Sequence, residues 1–447
     1  MSFNKLLNNS QGVALMMVLT AIVLLSTIML SFSLDSTVNK IRTYNIEDKS
    51  QAKLTAESGV RFAMARLKLY KDGFNYIQNN DGLQKVAKPE ILNTLWNFPF
   101  VYPIPITQGM NQIQKTAIES FQENTLLSGS MRLTITNLSN KLNINAIRVA
   151  LFNQEDEETE VDADGNPVEK EKPNADYNIE TQLFRNFQNA FEKKSESDED
   201  FYAQYSGVEP QELIAVLKTF VSDEDTLDNT GSVRGLFTNA EITPKHAPLG
   251  SMSEMYSLPG WDDDLVELIN NEFTVHGAIM VDLNKITDNM LRLLIPRITD
   301  QEIKEFFEYK NDPEDPKFFN TIDDFKKYIT NIGNIMGAEE FDNLVKEFEL
   351  NNIKFGASPS LFKILSVGEK GRATYTLEAY VIIPAKPTYK KPQEVEENTN
   401  DGDDVNPNDP NKPDPNKENP NKTEPNKPDE KAKTFLLNPR IVEIYAK

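Results

Sequence analysis

An uninterrupted apolar run near the start of the chain limits its fold more than any other feature. Residues Val13 to Leu34 read VALMMVLTAIVLLSTIMLSFSL and carry no charge over 22 positions. A bilayer core of about 30 Å needs roughly 20 helical residues at about 1.5 Å each, so this run is long enough to cross it. No comparable run follows in the sequence. We therefore predict a single-pass membrane protein.

The helical pattern continues beyond the apolar run. Apolar side chains recur at the helical spacing of three and four residues at Ala56, Val60, Ala63 and Leu67. The first proline of the chain is Pro89. We predict one continuous helix from about Val13 to about Leu69, within a helical segment 13–72 that is half in lipid and half amphipathic.

Composition narrows the function classes. The net charge of −22 repels phosphate backbones and argues against a general nucleic-acid binder. The chain has no cysteine, which excludes disulfides and thiolate metal sites. Its two histidines, His246 and His276, are too few for a multi-histidine metal centre, and neither has a nucleophile beside it in sequence. We predict that the protein is not an enzyme.

The residues before the apolar run resemble the prepilin-type leader of type IV pilins and pseudopilins. A short polar leader, MSFNKLLNNSQ, is followed by Gly12 and then by the apolar run. The resemblance implies that a prepilin peptidase cleaves after Gly12 and that the new amino terminus, Val13, is N-methylated. The alternative reading of these residues is a plain signal-anchor helix.

Met17 departs from the pilin pattern. It would be the fifth residue of the mature chain, where most pilins and pseudopilins carry a glutamate that neutralises the amine of the neighbouring subunit. An unpaired charge inside an apolar filament core costs several kcal/mol. A chain without that glutamate is suited to a position with no subunit above it, at the tip. In a plain anchor helix, Met17 carries no such meaning.

Five short segments in order resemble the general secretion pathway protein K (GspK) family, the minor pseudopilins of type II secretion. They are AESGVRFAMARLKL, MRLTITNLSNKLNINAI, MSEMYSLPGW, VDLNKITDNMLRLLIP and SPSLFKILSVGEKGRATYTLEAYVII. Asn140 replaces the usual glycine of the second segment. In the fourth segment, the usual Asn-Thr-Ala is altered to Asn284-Lys285-Ile286.

The same segments predict an α+β fold. LTITNL and YTLEAYVII have the composition of strands, whereas QELIAVLKTFV, DDLVELI and NMLRLLIPRI have helical spacing. The resemblance implies the pseudopilin fold: a long N-terminal helix on an antiparallel β-sheet, with a large inserted all-helical domain. The predicted divisions are a leader 1–12, the helix 13–72, an α/β region 73–149, a helical insertion 150–275, a helical pair and sheet 276–383, a linker 384–433 and a final strand 434–447.

Acidic stretches raise the question of calcium. Asp223, Asp225 and Asp228 follow a predicted helix, where clustered carboxylates suit calcium, and the resemblance implies calcium binding in this part of the chain. A solvated acidic loop is the alternative. The stretch 155–171 imitates the start of an EF-hand but has Pro167 at the sixth position, so we predict a solvated loop there.

The turn at Pro259-Gly260 also occurs in DNA-binding helical hairpins, which need cations near the turn. Here Asp262, Asp263 and Asp264 follow instead, and acids in the first turn favour a helix N-terminus. Further on, the Pro-, Asn-, Asp- and Lys-rich linker has no apolar content. The last strand is predicted to pair back with residues 375–383.

Together these features predict a minor pseudopilin that caps the tip of the type II secretion pseudopilus. It would lie in the inner membrane with its C-terminal domain in the periplasm. The expected partners are I- and J-type minor pseudopilins, the inner-membrane secretion platform and the prepilin peptidase, with no nucleic acid. The alternatives are a type IV pilus minor pilin or tip adhesin, and a membrane-anchored periplasmic hydrolase.

Overall fold

A computed structural model describes residues 10–84, 89–149, 174–226, 231–277, 281–319, 321–351, 353–356, 358–386 and 435–447. The architecture confirms the predicted α+β class. A long N-terminal helix packs on an antiparallel sheet, and a helical domain is inserted between two strands of that sheet.

Helix α1 runs from Ser10 to Gln78, past the predicted end at about Leu69. Its 69 residues correspond to about 100 Å at about 1.5 Å per residue. The helix stops at Asn79-Asn80, a residue type that favours turns over helix.

The other helices in the described residues are short. They are α2 (Asp81–Gln84), α3 (Pro89–Asn97), α4 (Gln112–Asn124), α5 (Ile179–Ser197), α6 (Glu199–Tyr205), α7 (Pro210–Val221), α8 (Gly231–Asn239), α9 (Asp263–Asn270), α10 (Asp288–Leu294), α11 (Asp300–Lys310), α12 (Ile322–Lys327) and α13 (Ala338–Leu350). Side chains cap several of them: Asn111 and Thr299 form capping boxes at α4 and α11.

The strands are β1 (Phe100–Tyr102), β2 (Ser130–Asn137), β3 (Leu142–Asn143), β4 (Phe273–Thr274), β5 (Val281–Asp282), β6 (Phe355–Gly356), β7 (Leu361–Lys370), β8 (Ala373–Ile382), β9 (Ala385–Lys386), β10 (Phe435–Leu436) and β11 (Arg440–Ala446). Five of them form one sheet in the order β1-β2-β7-β8-β11, with every neighbouring pair antiparallel. Strand β2 alternates buried and exposed residues, as expected for a sheet covered on one face.

The predicted pairing of the last strand is confirmed. Strand β11 pairs antiparallel with β8, from Arg440 opposite Ile382 to Ala446 opposite Leu377, with an irregularity between Ile441 and Glu443. The short strands β9 and β10 pair just before it. Residues 387–434, which hold nearly all of the predicted linker, lie outside the described residues.

The helical domain has one core that continues across residue 275, where the sequence predicts a boundary. One apolar cluster contains buried side chains from Leu142 to Ile353, on both sides of that point. The second helical stretch also contains four helices, α10 to α13, rather than the predicted pair. The periodicity of a sequence identifies amphipathic helices, but it does not say which of them share a core.

Two matching joints hold remote segments of the helical domain together. In the first, Asn143 Oδ1 accepts the N–H of Asn145, whose side chain bonds the carbonyls of Leu249 and Val275 and the N–H of Leu249, at 2.7–3.0 Å. In the second, Asp282 Oδ1 accepts the N–H of Asn284, whose side chain bonds both backbone groups of Phe319 at 2.9 Å.

Candidate functional site: the two halves of the N-terminal helix

The first half of α1 is exposed all around. Val13 is 52% exposed and Met17 is 66% exposed, and every residue from Gly12 to Leu34 is classed with them as exposed. Among the described residues, this is the one helix long and apolar enough to cross a membrane by length and composition, and none of its most apolar stretch is buried. A helix that is apolar on every side is typical of a membrane span.

The two threonine hydroxyls of this half are bonded within the helix. Thr20 Oγ1 donates to the carbonyl of Met16 at 2.8 Å, and Thr27 Oγ1 donates to that of Val23 at 2.6 Å. Backbone and hydroxyl groups must find partners inside the segment when no water is present. The segment therefore meets the main requirement for placement in lipid.

The predicted processing residues lie within this half. Gly12 is already helical, because α1 begins at Ser10, and a Cβ added at Gly12 would meet no atom within 4 Å. Val13 and Met17 follow on the same exposed helix. The cleavage after Gly12, the methylation of Val13 and the role of Met17 stay predictions.

The second half of α1 packs against the sheet through one face. Its buried residues recur every three or four positions, at Ala52, Ala56, Val60, Ala63, Leu67, Tyr70 and Phe74. Those from Ala56 onward pack on Leu133 and Ile135 of β2, Phe362 and Ile364 of β7, and Ala379 and Val381 of β8. The predicted amphipathic pattern thus faces the sheet.

Small residues let the helix approach the sheet closely, a feature the sequence prediction missed. A Cβ added at Gly368 of β7 would lie 2.1 Å from the Ala52 carbonyl oxygen, and one at Gly59 would lie 2.1 Å from Ser366 Oγ. Ser366 Oγ donates to the Ala56 carbonyl at 2.8 Å. The available signal was the run of small residues at helical spacing, Ala52, Ala56, Gly59 and Ala63.

Two of the three predicted calcium residues, Asp223 and Asp225, lie in the part of the chain that the structure describes. Asp223 Oδ1 lies 2.5 Å from Arg148 Nη2, which supplies a cation at that carboxylate. Asp225 is exposed in a short 3₁₀ turn, Glu224–Thr226. Asp228 lies outside the described residues, and no metal-holding group of three is found within them. The calcium site stays a prediction that titration calorimetry with calcium tests directly.

The acidic turn forms a helix N-terminus, as predicted. Asp262 caps α9 by accepting the N–H of Leu265 at 3.1 Å, and Asp263 and Asp264 occupy the first turn. Gly260 has φ +82°, the left-handed conformation that the turn needs. Tyr205 donates its hydroxyl to Asp262 Oδ2 at 2.6 Å, and burial together with these carboxylates raises the pKa of Tyr205.

Both histidines have structural partners. His246 Nδ1 lies 2.7 Å from the carbonyl oxygen of Ser222. His276 is 7% exposed, and its Nε2 lies 2.7 Å from Glu443 Oε2 on β11. His276 therefore links the helical domain to the last strand of the sheet.

Comparison with known proteins adds a similarity to solved structures. No protein-family model matches the chain, and no curated protein matches it. The chain is similar to a chain in the crystal structure of the GspK-GspI-GspJ complex from the type 2 secretion system of enterotoxigenic Escherichia coli. The identity is 13% and the TM-score 0.45, over 76% of this chain and 94% of the matched chain. With a TM-score below 0.5, this likeness by itself identifies neither a function nor a partner for the chain.

Proposed function

We propose that this protein is a minor pseudopilin at the tip of a type II secretion pseudopilus. Its role is to assist assembly and the export of folded proteins across the outer membrane, without catalysis of its own. The observation that carries the proposal is the division of α1 into an apolar half exposed on all sides and a half buried against the sheet. Such a helix anchors a periplasmic domain in the inner membrane and can pack among other subunits.

The leader supports processing by a prepilin peptidase. Gly12 precedes the apolar run, and removal of residues 1–12 leaves Val13 at the start of an uncharged span. The mature chain then keeps the whole of the exposed half of α1. A signal peptide cleaved after that half would instead release the domain from the membrane.

Met17 and the helical domain support the tip position. Met17 offers no carboxylate to the amine of a subunit above it. The helical domain, whose core extends from Leu142 to Ile353, adds a second body beside the sheet. A subunit with such a head is suited to the end of a filament, because further stacking would have to accommodate it. We propose I- and J-type minor pseudopilins as its neighbours and the inner-membrane platform as its site of assembly.

The decisive test is the N-terminus of the protein recovered from membranes. Intact mass and N-terminal sequencing should give a chain that starts at N-methylated Val13. A Gly12→Val variant should remain unprocessed, whereas the nearby leader variant Ser10→Ala should be processed normally. A wild-type chain that starts at Met1, or that is cut beyond residue 34, contradicts the proposal.

A secretion assay separates the proposal from a type IV pilus role, because the leader fits both. Deletion of the gene should abolish export of a type II secretion substrate and leave pilus-dependent motility intact. The opposite result favours a pilus minor pilin. For the hydrolase alternative, export that continues with His246→Ala and His276→Gln excludes dependence on either histidine.

A further inference from the structure

Two cations follow the apolar run of α1 without an ionic partner. Lys40 and Arg42 lie six and eight residues after Leu34, and both are exposed. Lys40 Nζ lies 5.8 Å from the ring centre of Tyr44. Within the described ranges no carboxylate forms an ion pair with Lys40 or Arg42. Both cations are therefore accessible to an anion from outside the chain.

These cations lie on the side of the membrane where lysine and arginine are usually scarce. Cationic residues near a membrane span are normally enriched on the cytoplasmic side. Cleavage after Gly12 would remove Lys5, the one lysine or arginine that precedes the span, and leave Lys40 and Arg42 on the periplasmic side. A favourable interaction at the periplasmic surface of the membrane accounts for cations at these positions.

The headgroups of the lipid lie within reach of both side chains. At about 1.5 Å per residue, Lys40 and Arg42 are about 9 and 12 Å beyond Leu34 along the helix axis. The headgroup layer extends roughly 5–8 Å beyond the hydrocarbon core on each side. Long cationic side chains extend back toward the polar boundary of an apolar region. The ammonium and the guanidinium can thus contact headgroup phosphates.

The neighbouring apolar residues fit the same depth. Val38, Ile41 and Tyr44 are 46%, 54% and 54% exposed, and polar residues separate them from one another. Tyrosine is enriched at membrane–water interfaces, where its ring lies in an apolar layer and its hydroxyl reaches water. Residues 38–44 therefore combine apolar, aromatic and cationic side chains, as is typical of a helix at the membrane interface.

The distribution of the two cations around the helix favours lipid over a protein partner. Successive residues of an α-helix are rotated by about 100°, so Lys40 and Arg42 lie on nearly opposite sides of α1. A single partner helix contacts one side of α1. Lipid headgroups surround the whole circumference of a spanning helix, so they can bind both cations at once.

We propose that Lys40, Arg42 and Tyr44 form a headgroup collar that binds anionic phospholipids at the periplasmic surface of the inner membrane. The inference rests on the proposed function, which places α1 in that membrane with its second half in the periplasm. The guanidinium of Arg42 presents paired donors to a phosphate, and the ammonium of Lys40 supplies a second charge. The collar fixes the depth of the span and offsets the repulsion between an anionic surface and a chain of net charge −22.

The lipid composition next to the helix tests the collar. The chain has no cysteine, so Asn39→Cys provides a single site for an environment-sensitive fluorophore in the full-length protein. The labelled protein is reconstituted alone in vesicles of phosphatidylethanolamine with a minor share of phosphatidylglycerol. Spin-labelled phosphatidylglycerol should quench the fluorophore about fivefold more than equally spin-labelled phosphatidylethanolamine, a ratio that corresponds to about 1 kcal/mol. Equal quenching by the two lipids overturns the proposal.

Variants on the same helix provide the matched control. Lys40→Gln with Arg42→Gln should reduce the quenching ratio to about one. Arg61→Gln with Lys68→Gln removes the same charge from exposed positions about 40 and 50 Å beyond Leu34, and it should keep the ratio of the wild type. If this control lowers the ratio as much as the collar variant does, the preference reflects net charge and the collar is wrong.

A charge-conserving exchange separates charge from structure. Lys40→Arg with Arg42→Lys keeps both cations at the same depth and should keep most of the lipid preference. High salt should weaken the preference in the wild type, because the attraction to anionic headgroups is screened. A preference that survives in the Lys40→Gln, Arg42→Gln variant or is unaffected by salt contradicts the proposal.

Contact with a neighbouring pseudopilin is the competing explanation for the unpaired cations. The reconstituted vesicles contain no other pseudopilin, so a lipid preference measured there cannot come from one. In cell membranes, a photoreactive residue in place of Lys40 or Arg42 should form adducts mainly with phospholipid. Adducts mainly with another pseudopilin, together with equal quenching by the two lipids, would assign the cations to a protein interface.

The outcomes separate this inference from the proposed function. If the mature chain starts at Val13 and secretion is normal, but the two lipids quench equally, the headgroup collar is wrong and the pseudopilin role stands. If the chain is not processed at Gly12, the pseudopilin role fails, whereas a lipid preference that depends on Lys40 and Arg42 would still show the collar on a plain anchor helix.

Discussion

The two halves of α1 share one helical backbone but are built for different surroundings. Residues 13–34 are mostly large aliphatic side chains on every side, such as Met29 at 77% exposed. In the second half, Ala52, Ala56 and Ala63 are fully buried, and the helix lies against glycine and serine of β7. Side-chain size and its distribution around the axis, more than mean hydropathy, distinguish a helix suited to lipid from one suited to a sheet.

Charges placed in the first half of α1 should produce the largest effect, which is a loss of membrane insertion. A double variant, Leu24→Arg with Leu25→Arg, adds about 2.5–3.5 kcal/mol per arginine to the cost of membrane insertion. We expect the chain to disappear from the membrane fraction on cell fractionation. The unfolding transition of the globular part should stay within about 0.5 kcal/mol of wild type, because neither residue contacts it. A large shift in that transition would show that the two halves are coupled.

A side chain at Gly368 should damage the second half and leave the first half intact. Because a Cβ there would lie 2.1 Å from the Ala52 carbonyl oxygen, Gly368→Leu forces the helix away from the sheet. We expect a loss of about 3 kcal/mol or more in chemical denaturation, with membrane retention unchanged. Gly235→Ala is the matched control, since a Cβ at Gly235 meets open space, and it should be neutral or stabilising.

Acid should also destabilise the sheet and leave the membrane retention of residues 13–34 unchanged. Burial by itself raises the pKa of Glu378 on β8, but hydrogen bonds from Lys363, Tyr445 and Lys447 outweigh burial and lower it from 4.5 to about 2. The folded state therefore gains stability when Glu378 is ionised, and this gain is lost as the pH falls from about 4.5 to about 2. The gain is on the order of 3 kcal/mol.

Denaturation curves between pH 7 and pH 2 measure this effect. Glu378→Gln should lower stability at pH 7 and flatten the dependence in the acidic range, whereas the exposed Glu308→Gln should change neither. Residues 13–34 contain no titratable side chain, so membrane retention should be independent of pH over the same range. An unchanged acidic slope in Glu378→Gln would rule out this carboxylate as the source.

A matched pair of hydroxyl groups should give the smallest effect. Ser366 Oγ joins the sheet to the Ala56 carbonyl, whereas Thr27 Oγ1 bonds a carbonyl of its own helix. Ser366→Ala should cost about 1 kcal/mol of unfolding free energy. Thr27→Ala should leave the globular part unchanged in the same denaturation experiment. Equal effects of the two changes would mean that the Ser366 bond does not contribute to the helix–sheet contact.

The two joints of the helical domain show which features a sequence pattern predicts and which contacts it does not. Both segments were identified separately as family-like motifs, LNINAI and VDLNKI. Their equivalence appears only in the structure, where Asn145 and Asn284 make similar side-chain bonds to distant backbone. Asp282 accepts through both carboxylate oxygens, from the N–H of Asn284 and from Asn137 Nδ2 at 2.7 Å, whereas Asn143 accepts the N–H of Asn145 through its amide oxygen.

The site residues also divide into those that the local sequence predicts and those whose partners only the structure shows. The positions of Gly12, Val13 and Met17 follow from the leader and the apolar run alone. The pairing of Asp223 with Arg148 and of His276 with Glu443 joins residues 75 and 167 positions apart, and no local pattern predicts either.

The sequence by itself determined the membrane-length helix, the amphipathic continuation of that helix and the strand character of β2 and β8, because length, charge and periodicity are local properties. Only the tertiary structure decided which faces meet. The bond from Ser366 to Ala56 spans 310 positions, and the fit of Gly368 against Ala52 depends on how closely two backbones approach. Such contacts depend on shape and distance between remote segments, which hydrophobic patterning does not encode.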